Sequence, residues 1–88
     1  MKDLLLKDER VFEMVMEENA RQLEKWSIQD RWSFEWLAYV TEEVGELAKA
    51  ISEYEYRGGL QSAVVKEAIQ SATLLLKIAE MFLNENGE

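Results

Sequence analysis

Glu43 and Glu46 stand three residues apart in the block Thr41-Glu42-Glu43-Val44-Gly45-Glu46-Leu47-Ala48, and Glu67 and Gln70 repeat that spacing downstream. On a helix this spacing puts two side chains on one face, about 5–6 Å apart at Cβ. Two acids so placed repel one another unless something positive lies between them. Three carboxylates and an amide oxygen brought together would suit magnesium or manganese, hard ions bound through oxygen and water. Taken by spacing alone, such a pair more often lines a solvated rim and meets a nearby lysine or arginine. Gly45 adds weight to the site. A glycine inside a strong helix costs about 1 kcal/mol relative to alanine, so its presence predicts a close helix approach there.

Other chemistries are excluded by composition. The 88 residues contain no cysteine and no histidine. Disulfides, thiolate or imidazole zinc sites and histidine-based triads are therefore impossible. Eighteen acids against ten bases give a net charge of −8. With no basic stripe to offset phosphate repulsion, nucleic-acid polymer is not an expected partner, although a small anion could bind through a cation. Apolar runs are only a few residues long, as at Leu4–Leu6 and Leu74–Leu76. No membrane span is expected, and no charged-then-apolar leader with a cleavage site opens the chain. The expected address is the cytoplasm.

The elements that must position these groups are helices. Proline is absent and the four glycines leave one clear internal break, Gly58-Gly59. A softer break is Ser27-Ile28-Gln29-Asp30, and Ser33 is the predicted N-cap of the segment that follows, with Glu35 in its first turn. The chain divides into segments of roughly 3–26, 33–56 and 60–84. In the second, Leu37, Val40, Val44, Leu47, Ile51 and Tyr54 alternate steps of three and four. In the third, Val65, Ala68, Ala72, Leu75, Ala79 and Phe82 do the same, and Ile69, Leu76 and Leu83 widen the stripe. The first segment is looser, with Phe12, Val15, Met16, Asn19, Leu23 and Trp26 on one side. Met14, Met16 and Met81 read as core fillers. Such periodicity is helical, and the expected fold is all-α.

Residues 1–88 make one domain of three helices, too small for a generous core. The surplus apolar surface on the third helix predicts an antiparallel helical bundle completed by homo-oligomerisation, as a homodimer or a dimer of dimers. Across a Gly58-Gly59 turn, Glu43 and Glu46 fall within roughly one helical turn of the level of Glu67 and Gln70. The two pairs can therefore meet.

The block Glu42-Glu43-Val44-Gly45-Glu46-Leu47-Ala48-Lys49-Ala50-Ile51, followed by Glu67-Ala68-Ile69-Gln70, resembles the MazG-like, all-α nucleotide pyrophosphohydrolases over about residues 20–83. That family carries Glu-x-x-Glu, a variable linker and Glu-x-x-Asp, with the four acids holding magnesium. The resemblance implies that Glu43, Glu46 and Glu67 are catalytic and that they hold Mg²⁺ (or Mn²⁺) with Gln70 in the fourth position. It also implies attack at the α–β phosphoanhydride of a nucleoside triphosphate, releasing monophosphate and pyrophosphate in house-cleaning or nucleotide-pool control. Lys25-Trp26 resembles the family's basic-plus-aromatic stretch and is the implied substrate contact. The chain departs from the pattern at Gln70, where the family has aspartate: an oxygen is kept and a charge lost. Glu42 and Glu53 are the nearest acids that could make it up. The same departure supports a second reading, a catalytically weak or inactive helical dimer that binds nucleotide or protein. Arg21, Arg57 and Lys66 are further phosphate candidates.

Overall fold

A computed structural model of the chain describes residues 6–26 and 31–85. Three helices account for nearly all of them: α1, Glu9–Trp26; α2, Ser33–Arg57; and α3, Gln61–Leu83. The all-α expectation holds, and no helix is long and apolar enough to cross a membrane among the described residues.

The first helix begins later than its apolar pattern suggested. The Asp8 carboxylate accepts the backbone N–H of Arg10 at 3.0 Å, satisfying one of the unpaired donors of the first turn and fixing the start at Glu9. The N-cap of α2 is Trp32 rather than Ser33, because the Glu35 side chain reaches back to accept the Trp32 N–H at 3.1 Å. The predicted break at residues 27–30 lies outside the described residues.

The turn between α2 and α3 is where glycine is required. Gly58 caps α2 in the left-handed region, at φ 69°, and the next N–H, from Gly59, donates to the Glu53 carbonyl at 2.8 Å. A Cβ on Gly59 would lie 2.9 Å from the backbone carbon of Glu53. The tight turn lays α3 back along α2. On the other flank of α3, Met14 borders the same cavity as Val65, and Gln22 bonds Lys77 further along both helices. Thus α1 runs in the same sense as α3, and α3 is the central rod against which both neighbours pack.

That arrangement turns the apolar stripes in an unexpected direction. Val40 and Leu74 are the buried hydrophobic residues among those described, joined by buried Gln22, Ser71 and Thr73. The Ser71 and Thr73 hydroxyls donate to the Glu67 and Ile69 carbonyls of their own helix, so their burial leaves no donor unmet. By contrast, Leu37, Val44 and Ile51 of α2 and Leu75 and Phe82 of α3, expected in the seam, remain at least 44% exposed. Within α1 the inward positions are Val15, Glu18, Asn19 and Gln22, whereas Phe12, Met16 and Leu23 face outward. Met14 and Met16 are exposed and fill no core; Met81 is half-buried. The physical reason is that α3 must serve two neighbours. The face between them carries Ser71 and Thr73 beside Leu74, and of the expected stripe Val65, Leu75, Ala79 and Phe82 are left exposed while Ala68 and Ala72 are half-buried.

Candidate functional site

Glu43 projects from the middle of α2, and Glu67 and Gln70 project from α3, opposite it. Because ionised carboxylates only accept, the Gln70 amide is assigned with its nitrogen toward them, 3.0 Å from Glu43 Oε2 and 3.1 Å from Glu67 Oε2. One amide group therefore bridges two acids from different helices. The offset of about one turn anticipated from the sequence is absorbed by the Gly58-Gly59 connection.

Crowding of like charge shows in the titration of Glu43. Burial raises its pKa above the ordinary carboxylate value first of all. The charge of Glu67, a hydrogen bond shared with it, and the charges of Glu46 and Glu18 add to the rise. Glu46 therefore acts on Glu43 through space, but it is exposed and does not close on the pair. Among the described residues no three acidic side chains are gathered as a ligand set for a metal ion. The structure thus brings together Glu43, Glu67 and Gln70 and leaves Glu46 at the rim. Glu42 is exposed, and Glu53 lies by the Gly59 turn, so neither supplies the missing charge.

The donor chemistry still fits a hydrated hard cation. Magnesium commonly takes one or two carboxylates and keeps several waters, which two acids and an amide oxygen can satisfy after rotation of the Gln70 side chain. In the arrangement seen, the amide N–H₂ group supplies the positive end that such an ion would otherwise provide.

Glu43 and Gln70 form part of the wall of a cavity of about 840 Å³ between α1 and α2, floored by α3. That volume is in the range of small-molecule sites. Arg21 and Lys25 of α1, Arg31, and Lys77 of α3 bring cations to it, and Trp36 and Tyr39 bring aromatic surface. Arg31 lies over the Tyr39 ring at 5.0 Å, and Trp36 meets Tyr39 edge-on at 6.5 Å. Lys25, expected to touch substrate, does line this cavity. The Trp26 side chain lies outside the described residues. Of the other phosphate candidates, Arg21 lines this cavity and also a second one, between α1 and the start of α3, which Lys66 lines, and Arg57 is exposed at the end of α2.

A polar chain crosses the cavity's α1 side that spacing alone did not reveal. Lys77 Nζ donates to Gln22 Oε1, Gln22 Nε2 donates to Glu18 Oε2 at 2.7 Å, and Arg21 clasps the same carboxylate through two bonds of 2.7 and 2.8 Å. The Arg21 guanidinium is the main reason the Glu18 carboxyl titrates below its ordinary value, while burial lowers the Lys77 ammonium. The available sequence signal was Lys77 itself, a lone cation in the apolar second half of α3.

Gly45 contradicts its reading. A Cβ there would meet nothing within 4 Å, so among the described residues no helix of this chain approaches it. The chain matches no protein-family model, no curated protein and no solved structure.

Proposed function

We propose that the chain is a magnesium-dependent nucleoside triphosphate pyrophosphohydrolase, yielding a nucleoside monophosphate and pyrophosphate. The supporting observation is that Glu43 of α2 and Glu67 of α3 converge on Gln70 at the wall of a cavity large enough for a nucleotide. The residues that would hold Mg²⁺ (or Mn²⁺) are Glu43, Glu67 and the Gln70 amide oxygen, with Glu46 reaching it through water. When bound, such an ion supplies Lewis acidity toward phosphate oxygen and lowers the pKa of water. The protein's own part is positioning. Arg21 and Lys25 present cations to the phosphates from α1, and Glu43, with its raised pKa, is suited to share a proton with its neighbour. The test is a screen of nucleoside triphosphates for pyrophosphate release with and without magnesium, repeated with Glu43→Gln. Release that persists in that variant, or no release by any nucleotide, defeats the proposal.

A second reading has its own support. Gln70 already bridges the acids with a donor, so the cluster has a partner without metal. On this reading the chain is a non-catalytic nucleotide- or protein-binding helical dimer. Restoring acid with Gln70→Asp separates the two: pyrophosphate release that appears only in the variant favours the binding module.

Both readings include self-association, as a homodimer or a dimer of dimers. What supports this is that Leu37, Val44 and Ile51 of α2 and Leu75 and Phe82 of α3 stay exposed in the single chain. A second copy laid along them would complete the bundle.

A further inference from the structure

The cavity has two ends of different chemistry. At one end are Glu43 and Gln70. Counting about two helical turns back along α2 reaches Trp36, and two turns on along α3 reaches Lys77. The helices are antiparallel, so both lie on the same side of the Glu43–Gln70 contact, about 10 Å away. Trp36 and Lys77 therefore face one space, and both line it. A ribose bridges a distance of that order between phosphate and ring.

Lys77 is specifically equipped at this end. Its ammonium has three donors, and the partner seen is the neutral amide oxygen of Gln22. Among the described residues it forms no ion pair. The acids that face it are Glu18, already clasped by Arg21, and exposed Glu80 at the cavity wall. Their charge disfavours a phosphate dianion at this end and leaves a neutral acceptor welcome. Arg31 is committed to Tyr39 and Glu35.

We propose that this end seats the ring of the nucleotide, with Trp36 packed against its face and Lys77 donating to an exocyclic carbonyl oxygen. The inference rests on the nucleotide reading of the same cavity and adds a selection to it. Bases with a keto oxygen are accepted in preference to adenine, whose amino group would meet the ammonium donor to donor.

Inosine and adenosine 5′-monophosphates differ only on this edge of the ring, with oxygen against amino group at C6 and N1–H against an accepting N1, and serve as the probes. Titration calorimetry with the full chain in chelator should show the inosine nucleotide binding about tenfold more tightly, as expected for one hydrogen bond to a charged donor. Lys77→Met should erase that preference while Lys77→Arg retains it, with circular dichroism checking that each variant is helical. Should Lys77→Met not fold, the wild-type preference, together with a shift of the Trp36 indole N–H resonance by the inosine nucleotide alone, carries the test. Equal affinities in the wild type, no binding of either probe, or equal weakening of both by Lys77→Met would overturn the assignment; the last would make Lys77 a phosphate contact. These assays need neither metal nor turnover. A keto preference without pyrophosphate release leaves the ring seat standing and removes the hydrolase, whereas release without preference does the reverse.

Discussion

The Gln70 amide nitrogen of α3 lies 3.0 Å from the Glu43 carboxylate of α2, and the same nitrogen meets Glu67 at 3.1 Å. A neutral side chain thus does between two acids what a cation would do, by presenting hydrogens to both. The consequence is a competition: an ion entering the pair must displace the amide donor or turn it so that its oxygen faces inward.

Replacement of Gln70 by aspartate should therefore lower the metal-free stability by about 1–3 kcal/mol, since a donor is lost and a charge added among half-buried acids. Millimolar magnesium should raise the melting temperature of this variant more than that of the wild type. Glu43→Gln should abolish the rise in both. Differential scanning fluorimetry across a magnesium series reads all three outcomes.

Gly45→Ala should stabilise the isolated chain by about 1 kcal/mol in urea denaturation, because the new methyl meets open space and the helix gains alanine's propensity. A loss of stability in dilute protein would show that something occupies that face.

The turn behaves differently. Gly59→Ala should destabilise by about 1–3 kcal/mol, because its Cβ would press on the Glu53 backbone, which cannot yield as a flexible side chain can. The same variant should weaken any magnesium-dependent melting shift, since this turn sets the level at which Glu43 meets Gln70.

Val44→Glu should leave the helical content intact and shift sedimentation toward the monomer. Val44 is exposed in the single chain, so the substitution costs its core little. An unchanged sedimentation coefficient from a dimeric wild type would place the contact elsewhere.

Acid should expose the Glu18–Arg21 clasp. The Glu18 pKa is lowered on folding, so its stabilisation is full above the unfolded value, near 4.5, and is lost as pH falls through the lower folded value. Glu18→Gln should flatten that acid limb, costing about 1 kcal/mol above the unfolded value and progressively less as pH falls below it. Urea midpoints at several acidic pH values, wild type against variant, measure the difference.

How much of this was legible beforehand differs by residue. The step pattern of Leu37 through Tyr54 and the Gly58-Gly59 break gave α2, α3 and the hairpin that joins them, because helix periodicity and left-handed turn geometry are local properties. The pairing of Glu43 with Glu67 and Gln70 was legible too, since a short antiparallel hairpin fixes which positions face each other within about a turn. The approach to Gly45 was misread because the cost of a glycine is local, whereas what packs against it is not.

The sequence by itself determined the helical class, the tight turn at Gly58-Gly59 and the absence of thiol and imidazole groups, each set by residue type and near-neighbour spacing. Only the tertiary structure decided that α3 lies centrally, that its polar face with Ser71, Thr73 and Lys77 turns inward, and that Leu37, Val44, Ile51 and Leu75 stay outside. An amphipathic stripe states that a helix has an apolar side. It does not state which neighbour receives that side, because hydrophobic burial is non-directional, and the choice falls to whichever contacts the other helices complete.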